Sequence, residues 1–256
     1  MPKPKSEGTC ALCGTEGKLC NSHILPELFY KKCFDGKGRM LSVYGSAVGS
    51  PSIMQSGVNM PLLCAECEVA MSKYETVVAG LMRRVATHHT LSYDIIELEG
   101  YPSESVRLFA LSVLWKCAVS GKPEYKKVQL GSHQEKIRQI LIEGQLGPPR
   151  EYALILTKHS GSNVVENSVV PPVPCRFNGM FAYHMSAWGI EWLITVSNHF
   201  APGPNELLDL YVGMRDKILV PVKPTTDLEF LNKFNISFLD ETVRHADRLA
   251  EVLSRK

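Results

Sequence analysis

Apolar positions recur at helical spacing through ECEVAMSKYETVVAGLMRRVA, at Val69, Tyr74, Val77, Val78, Leu81 and Val85. That spacing predicts an amphipathic helix. SESVRLFALSVLWKCAVSG predicts a second, over about residues 104–120, with Ser103 placed as its N-cap and Gly121 just past its end. SHQEKIRQILIEG predicts a third, where Ser132 and Glu135 have capping-box spacing and Gly144 is a stop. GPPR at 147–150 breaks the helical pattern. Beyond it EYALILTK, RFNGMFAYHM, IEWLITVSN and KILVPV read as strands, the second and third forming a hairpin around Ala187–Gly189. A last helix is expected over about 239–254, with Leu239, Val243, Ala246, Leu249, Ala250 and Leu253 on one side. Residues 34–61 are rich in Gly and Ser, with short apolar pieces such as MLSVY, and read as a loop or hairpin insertion.

The pattern as a whole is α+β. It divides into an N-terminal part, 1–90, a helical middle, 91–146, and a β-rich α+β part, 147–256, ending in a helix. No internal repeat or low-complexity tract is visible.

The chain has 256 residues, 45% hydrophobic and 21% charged, the balance of a soluble globular protein with a sizeable core. No apolar run reaches bilayer length, so no membrane partner is expected. MPKPKSEGTC has charge but no apolar stretch behind it, so a cytoplasmic location is expected. The net charge of +2 excludes nothing. Residues 1–40 are mildly basic: Lys3, Lys5, Lys18, Lys31, Lys32, Lys37 and Arg39 stand against Glu7, Glu16, Glu27 and Asp35. A polyanion partner and a plain solvated face both fit that bias.

Eight cysteines in a chain without a secretion signal point to metal before disulfides. Cys10 and Cys13 form one C-x2-C pair in CALCG, and Cys64 and Cys67 another in LLCAECE. Each pair turns two thiolates toward one point, and two pairs complete a tetrahedral zinc site. A rival grouping, Cys10, Cys13, Cys20 and His23, could hold one zinc alone, but it leaves the second pair without a role. Cys33, Cys117 and Cys175 read as small apolar residues.

With both pairs and SHILP in view, the N-terminal region resembles the HNH endonucleases, whose ββα-metal core is often built on a treble-clef zinc finger. The family order is C-x2-C, a strand carrying (D/E)H-x-x-P, then a second C-x2-C entering a helix. Here that order reads Cys10–Cys13, His23-Ile-Leu-Pro26, Cys64–Cys67. The layout is similar to the phage endonuclease VII type of Holliday-junction resolvase, in which a metal ligand directly follows the last zinc cysteine; that position is Glu68. LLCAECEVAMSKYE is also similar to uncharacterised bacterial HNH-like proteins. The likeness spans about residues 8–85.

The resemblance implies a metal-dependent endonuclease acting on nucleic acid, DNA foremost. It implies structural zinc on the four cysteines, His23 as the general base, and Glu68 as a ligand to catalytic magnesium or manganese. Phosphodiester hydrolysis needs a base to activate water and a cation to neutralise developing charge. Imidazole suits the first task and hard oxygen ligands the second. Ser22 stands where the family has an acid, and it brings no charge. Glu75, two helical turns after Glu68, could add a carboxylate, although about 10 Å of rise argues against sharing one ion. Glu27 and Glu66 are other nearby acids. Asn59 is the nearest match to the family's asparagine, and its final histidine has no match. The alternative is a non-catalytic zinc finger that binds nucleic acid or protein, in a bacterial defence or mobile-element system. By analogy with nucleases that cut two strands, a homodimer or a partner protein is expected.

The other candidates carry less. His88 and His89 are adjacent, do not share a helix face, and are expected to end the helix. Arg83 and Arg84 suit phosphate contact or a solvated face equally. Trp115, Trp188 and Trp192 are expected in the core. His159, His184 and His199 show no ligand spacing.

Overall fold

The computed structural model describes residues 6–42, 52–88, 92–161, 163–226 and 229. The helix expected over 239–254 lies outside them. The chain opens with β1 (Ser6–Thr9) and β2 (Glu16–His23), followed by the short α1 (Glu27–Tyr30). The hairpin β3 (Met40–Ser42) and β4 (Ser52–Met54) comes next, then β5 (Asn59–Cys64) and the long α2 (Ala65–Ala86). Next are β6 (Asp94–Leu98), α3 (Ser103–Val119), a 3-10 turn and α4 (His133–Glu143). The remainder is β7 (Leu154–Ser160), α5 (Asn163–Glu166), β8 (Val169–Phe177), β9 (Met180–Ala187), β10 (Ile190–Thr195), α6 (Asn205–Leu208) and β11 (Ile218–Pro224). The α+β expectation holds, and the Gly- and Ser-rich insertion contains a hairpin.

Two sheets matter. The first is three-stranded, β1-β2-β5, and runs directly into α2. The second is six-stranded, β6-β11-β7-β10-β9-β8. Strand β6, inside the segment read as helical, pairs antiparallel with β11, so the second sheet is built from both sides of GPPR. One face of this sheet buries Leu154, Leu156, Tyr183, Met185, Ile190, Trp192 and Ile194 against α3. Helix α3 is buried almost all round, from Val106 to Cys117, which is why its sequence shows little amphipathic contrast. Trp192 meets Phe109 of α3 at 5.5 Å and Phe29 of α1 at 6.2 Å, so one aromatic cluster joins the N-terminal unit to the second sheet. Trp115, Trp188 and Trp192 are all buried, as expected.

Several local expectations need correcting. RFNGMFAYHM is two strands: Asn178 and Gly179 take φ of 48° and 79° and make the turn between β8 and β9. Asn-Gly is the pair that a two-residue hairpin turn with two positive φ values favours. Trp188 and Gly189, both at positive φ, make the expected β9–β10 turn. Ser132 caps nothing with its side chain, because it already has helical φ and ψ, and Glu135 is held by Arg138 and Gln139. Pro102, not Ser103, precedes α3.

Candidate functional site

The first cysteine pair lies on a tight turn after β1. Gly14 takes φ of 78° and donates its N–H to the Cys10 carbonyl at 2.9 Å; Cys10 donates its own to Thr15 O at 2.9 Å. Few side chains other than glycine's absence of one tolerate that left-handed position. The Ala11 N–H binds Leu62 O at 3.0 Å, which fastens the turn to β5. The second pair sits where β5 becomes α2: Cys64 is the last strand residue and the N-cap of the helix, with Cys67 in its first turn. The four sulfurs lie within 4.8 Å of one another and form the one group of this kind among the described residues. Cys13 and Cys64 are 3.8 Å apart. A tetrahedron with metal–sulfur bonds of about 2.3 Å has edges of about 3.8 Å. The Cys64 backbone N–H points at Cys10 Sγ at 3.3 Å, a donor that favours thiolate. The rival grouping is not assembled: Cys20 lies across from Leu63 in the β2–β5 ladder, and neither it nor His23 joins the cluster.

Crowding sets the electrostatics. Hydrogen bonds from the Thr15 hydroxyl and then from its backbone hold Cys13 down to about 6. Burial, with the neighbouring thiols behind it, pushes Cys67 well up. At Cys64 a hydrogen bond from the Cys67 backbone favours the thiolate, but burial and crowding by Cys10 and Cys13 prevail and the thiol is raised. Like charges this close do not all ionise alone, and a divalent cation removes that penalty. The N-terminus of α2 helps in the same direction.

The hydrolytic candidates lie beside this cluster. Strands β2 and β5 are antiparallel, with a bulge between Cys20 and Asn21. Beyond the bulge Ser22 is opposite Met60 and His23 opposite Asn59. Strand alternation sends Ser22 and His23 to opposite sides. Ser22 is fully buried, and its hydroxyl donates to Glu68 Oε2 of α2 at 2.6 Å. Asn21 Nδ2 donates to Asn59 Oδ1 at 2.8 Å, and Asn59 Nδ2 to Gly57 O at 3.3 Å. His23 is half-buried at the end of β2, and its ring makes no hydrogen bond with a described residue. Pro26, after the strand, leads into α1.

Glu75 lies apart: it faces Lys116 of α3 at 3.7 Å, and that lysine is buried. Glu27 and Glu66 are exposed. Helix α2 ends at Ala86, His88 pairs with Asp94 at 2.9 Å, and His89 lies outside the described residues. Arg83 and Arg84 are exposed. Sequence reading missed a buried polar network on the second sheet. His159 Nε2 and His184 Nδ1 meet the two oxygens of Glu191 at 2.9 and 3.2 Å, and His159 Nδ1 meets Thr225 Oγ1 at 2.8 Å. These residues come from four strands or strand ends, so only the sheet register brings them together.

No protein-family model, curated protein or solved structure matches the chain. The described residues define an α+β protein with a four-cysteine cluster that could hold a metal such as zinc. No described helix is long and apolar enough to cross a membrane.

Proposed function

We propose that the N-terminal unit is a zinc-stabilised, HNH-type site that hydrolyses phosphodiester bonds in nucleic acid, DNA foremost. One observation carries the reading. Ser22, immediately before His23, bonds to Glu68, the residue directly after the last cysteine. Two strands and a helix thus bring Ser22 and Glu68 to one junction beside the cysteine cluster, with His23 the next residue along β2 on the other side of the strand. In this reading zinc on Cys10, Cys13, Cys64 and Cys67 fixes β2 and β5 against α2. His23 accepts the proton of the attacking water. Glu68 supplies an oxygen ligand for magnesium or manganese, and Ser22 orients its carboxylate. The cation, when bound, neutralises charge developing on the phosphoryl oxygens. Glu75, engaged with Lys116, contributes to the packing of α2 on α3 instead. Cutting both strands of a duplex calls for a homodimer or a partner protein.

The same Ser22–Glu68 bond favours a second reading. A hydroxyl replaces the acid of the family pattern and occupies the Glu68 carboxylate, as in a finger that binds nucleic acid or protein without cutting. A cleavage assay separates the two. Wild type and His23→Ala are compared on plasmid, single-stranded and branched DNA and on RNA, with magnesium, manganese or neither. Cutting that needs the cation and is lost in His23→Ala is expected. Cutting retained by His23→Ala refutes the base assignment, and no cutting by the wild type turns the conclusion to the binding module.

A further inference from the structure

Helix α4 reaches across the molecule to the first cysteine turn. Arg138 Nη1 donates to the carbonyl of Leu12, the buried residue between Cys10 and Cys13 that precedes Cys13. The rest of the guanidinium is held from behind. Its Nε and Nη2 fork onto Glu135 at 2.7 Å each, and Gln139 binds the same carboxylate at 2.8 Å. The hydrogen bonds and charge of Glu135 favour the Arg138 cation, and the charge of Cys13 adds a smaller contribution. Helix α4 is itself anchored. Ile137 and Leu141 are buried, His133 Nδ1 lies 2.9 Å from the Tyr152 hydroxyl, and Lys136 binds Asn198 at 2.8 Å. A divalent ion on four thiolates carries a net charge of −2, so a guanidinium fixed beside it lowers the energy of the loaded centre.

We propose that Arg138 is a positioning residue for the four-cysteine centre, docking α4 on the Cys10–Cys13 turn so that metal binding and α4 docking stabilise each other. The idea rests on the centre taking a divalent ion. Coupling of this kind is reciprocal: whatever α4 adds to metal affinity, the metal adds to α4 docking. Cobalt binding and amide exchange are read without any cleavage, so the coupling is tested separately from it.

Cobalt(II) is the probe, because thiolate-to-cobalt absorption reports the centre directly. Titrations compare wild type, Arg138→Gln and Arg138→Lys, with hydrogen exchange of α4 and α3 amides measured with and without metal. Arg138→Gln is expected to weaken cobalt affinity roughly 10–100-fold, the usual cost of an outer-shell partner. Arg138→Lys, which keeps the charge but not the fork, should fall between. Removing metal from the wild type should speed exchange in α4 while α3 stays protected. Wild-type affinity in Arg138→Gln, or α4 exchange indifferent to metal, overturns the proposal. A wild type with no cobalt–thiolate band removes the metal centre and the coupling together, whereas a normal band with an unaffected variant removes the coupling alone. If Arg138→Gln does not fold, Glu135→Gln frees the guanidinium without deleting it, and unchanged affinity there overturns the proposal equally.

Discussion

Ser22→Asp tests the strand–helix junction most directly. In the wild type a neutral hydroxyl, fully buried, donates to Glu68 Oε2 at 2.6 Å. The substitution removes a hydrogen bond to a charged acceptor, which costs about 1.5–3 kcal/mol. It also sets a second carboxylate near the first. Two unit charges about 4 Å apart repel by about 4 kcal/mol at an effective dielectric of about 20. Glu68 is only half-buried, so solvent screens part of the sum. A net loss of about 3–5 kcal/mol is expected, or very roughly 6–20 °C in melting temperature for a chain of this size. A hard divalent cation between the carboxylates reverses the sign. The assay is thermal melting of zinc-loaded protein in buffer free of other divalent ions, then with magnesium or manganese. A chelator is avoided because it would strip the cysteine centre. Ser22→Ala, which loses the bond without adding charge, is the control and should fall by about 1.5–3 kcal/mol at most with no cation response. Manganese should raise the melt of Ser22→Asp far more than that of the wild type. Equal responses in the two proteins, or no loss of stability without cation, would refute the geometry on which the proposed cation site depends.

Three further outcomes follow from the structure. Cys64→Ala should lose metal and melt the N-terminal unit, since that residue is both a ligand candidate and the N-cap of α2, whereas Cys20→Ala should keep full metal content by elemental analysis; zinc lost in the second and kept in the first would reverse the assignment. In metal-free protein Cys13 should alkylate first, with a rate that rises through a midpoint near pH 6 because its lowered value leaves thiolate above that pH; Cys64 and Cys67, raised, should lag, and mass mapping that finds them ahead of Cys13 would contradict the cluster's electrostatics. Arg107→Met should destabilise by about 2–4 kcal/mol in denaturant melts, because the buried guanidinium donates to Gly147 O, Pro148 O and Glu151 O at 3.1, 2.8 and 2.8 Å; a change under about 0.5 kcal/mol would mean water replaces those bonds freely.

What the sequence made legible was local. Glycines at helix ends were readable because the αL position admits few other residues: Gly121 and Gly144 follow α3 and α4 at φ of 62° and 66°. The cysteine pairs were readable because C-x2-C fixes its own turn. Features set by partners far along the chain were hidden. The stretch VVPPVP does not look like a strand, yet it lies in β8, an edge strand whose register shifts between Val170 and Val173 to pass the prolines. Strand β6 is short and takes its identity from β11. Ser132 had the spacing for a capping box, but Arg138 and Gln139 competed for the glutamate. At the candidate site the residue types were named from the sequence. That Ser22 rather than His23 meets Glu68 depended on strand parity after the bulge at Cys20/Asn21, which spacing alone does not reveal.

The pairing of β6 with β11 orders events during synthesis. Every cysteine of the cluster lies in the first 67 residues, so the N-terminal unit can close on a metal well before the chain is complete. Strand β6 emerges soon after, but its hydrogen-bonding edge stays open until Ile218–Pro224 arrives. The exposed Ile95 and the neighbouring Tyr93 then sit beside an unpaired edge for most of translation. A fragment ending near residue 146 would keep that edge open permanently, so it should associate or require a chaperone, while one ending before β6 should not. The break at GPPR is thus a poor place to divide the chain for expression, although the sequence pattern changes there.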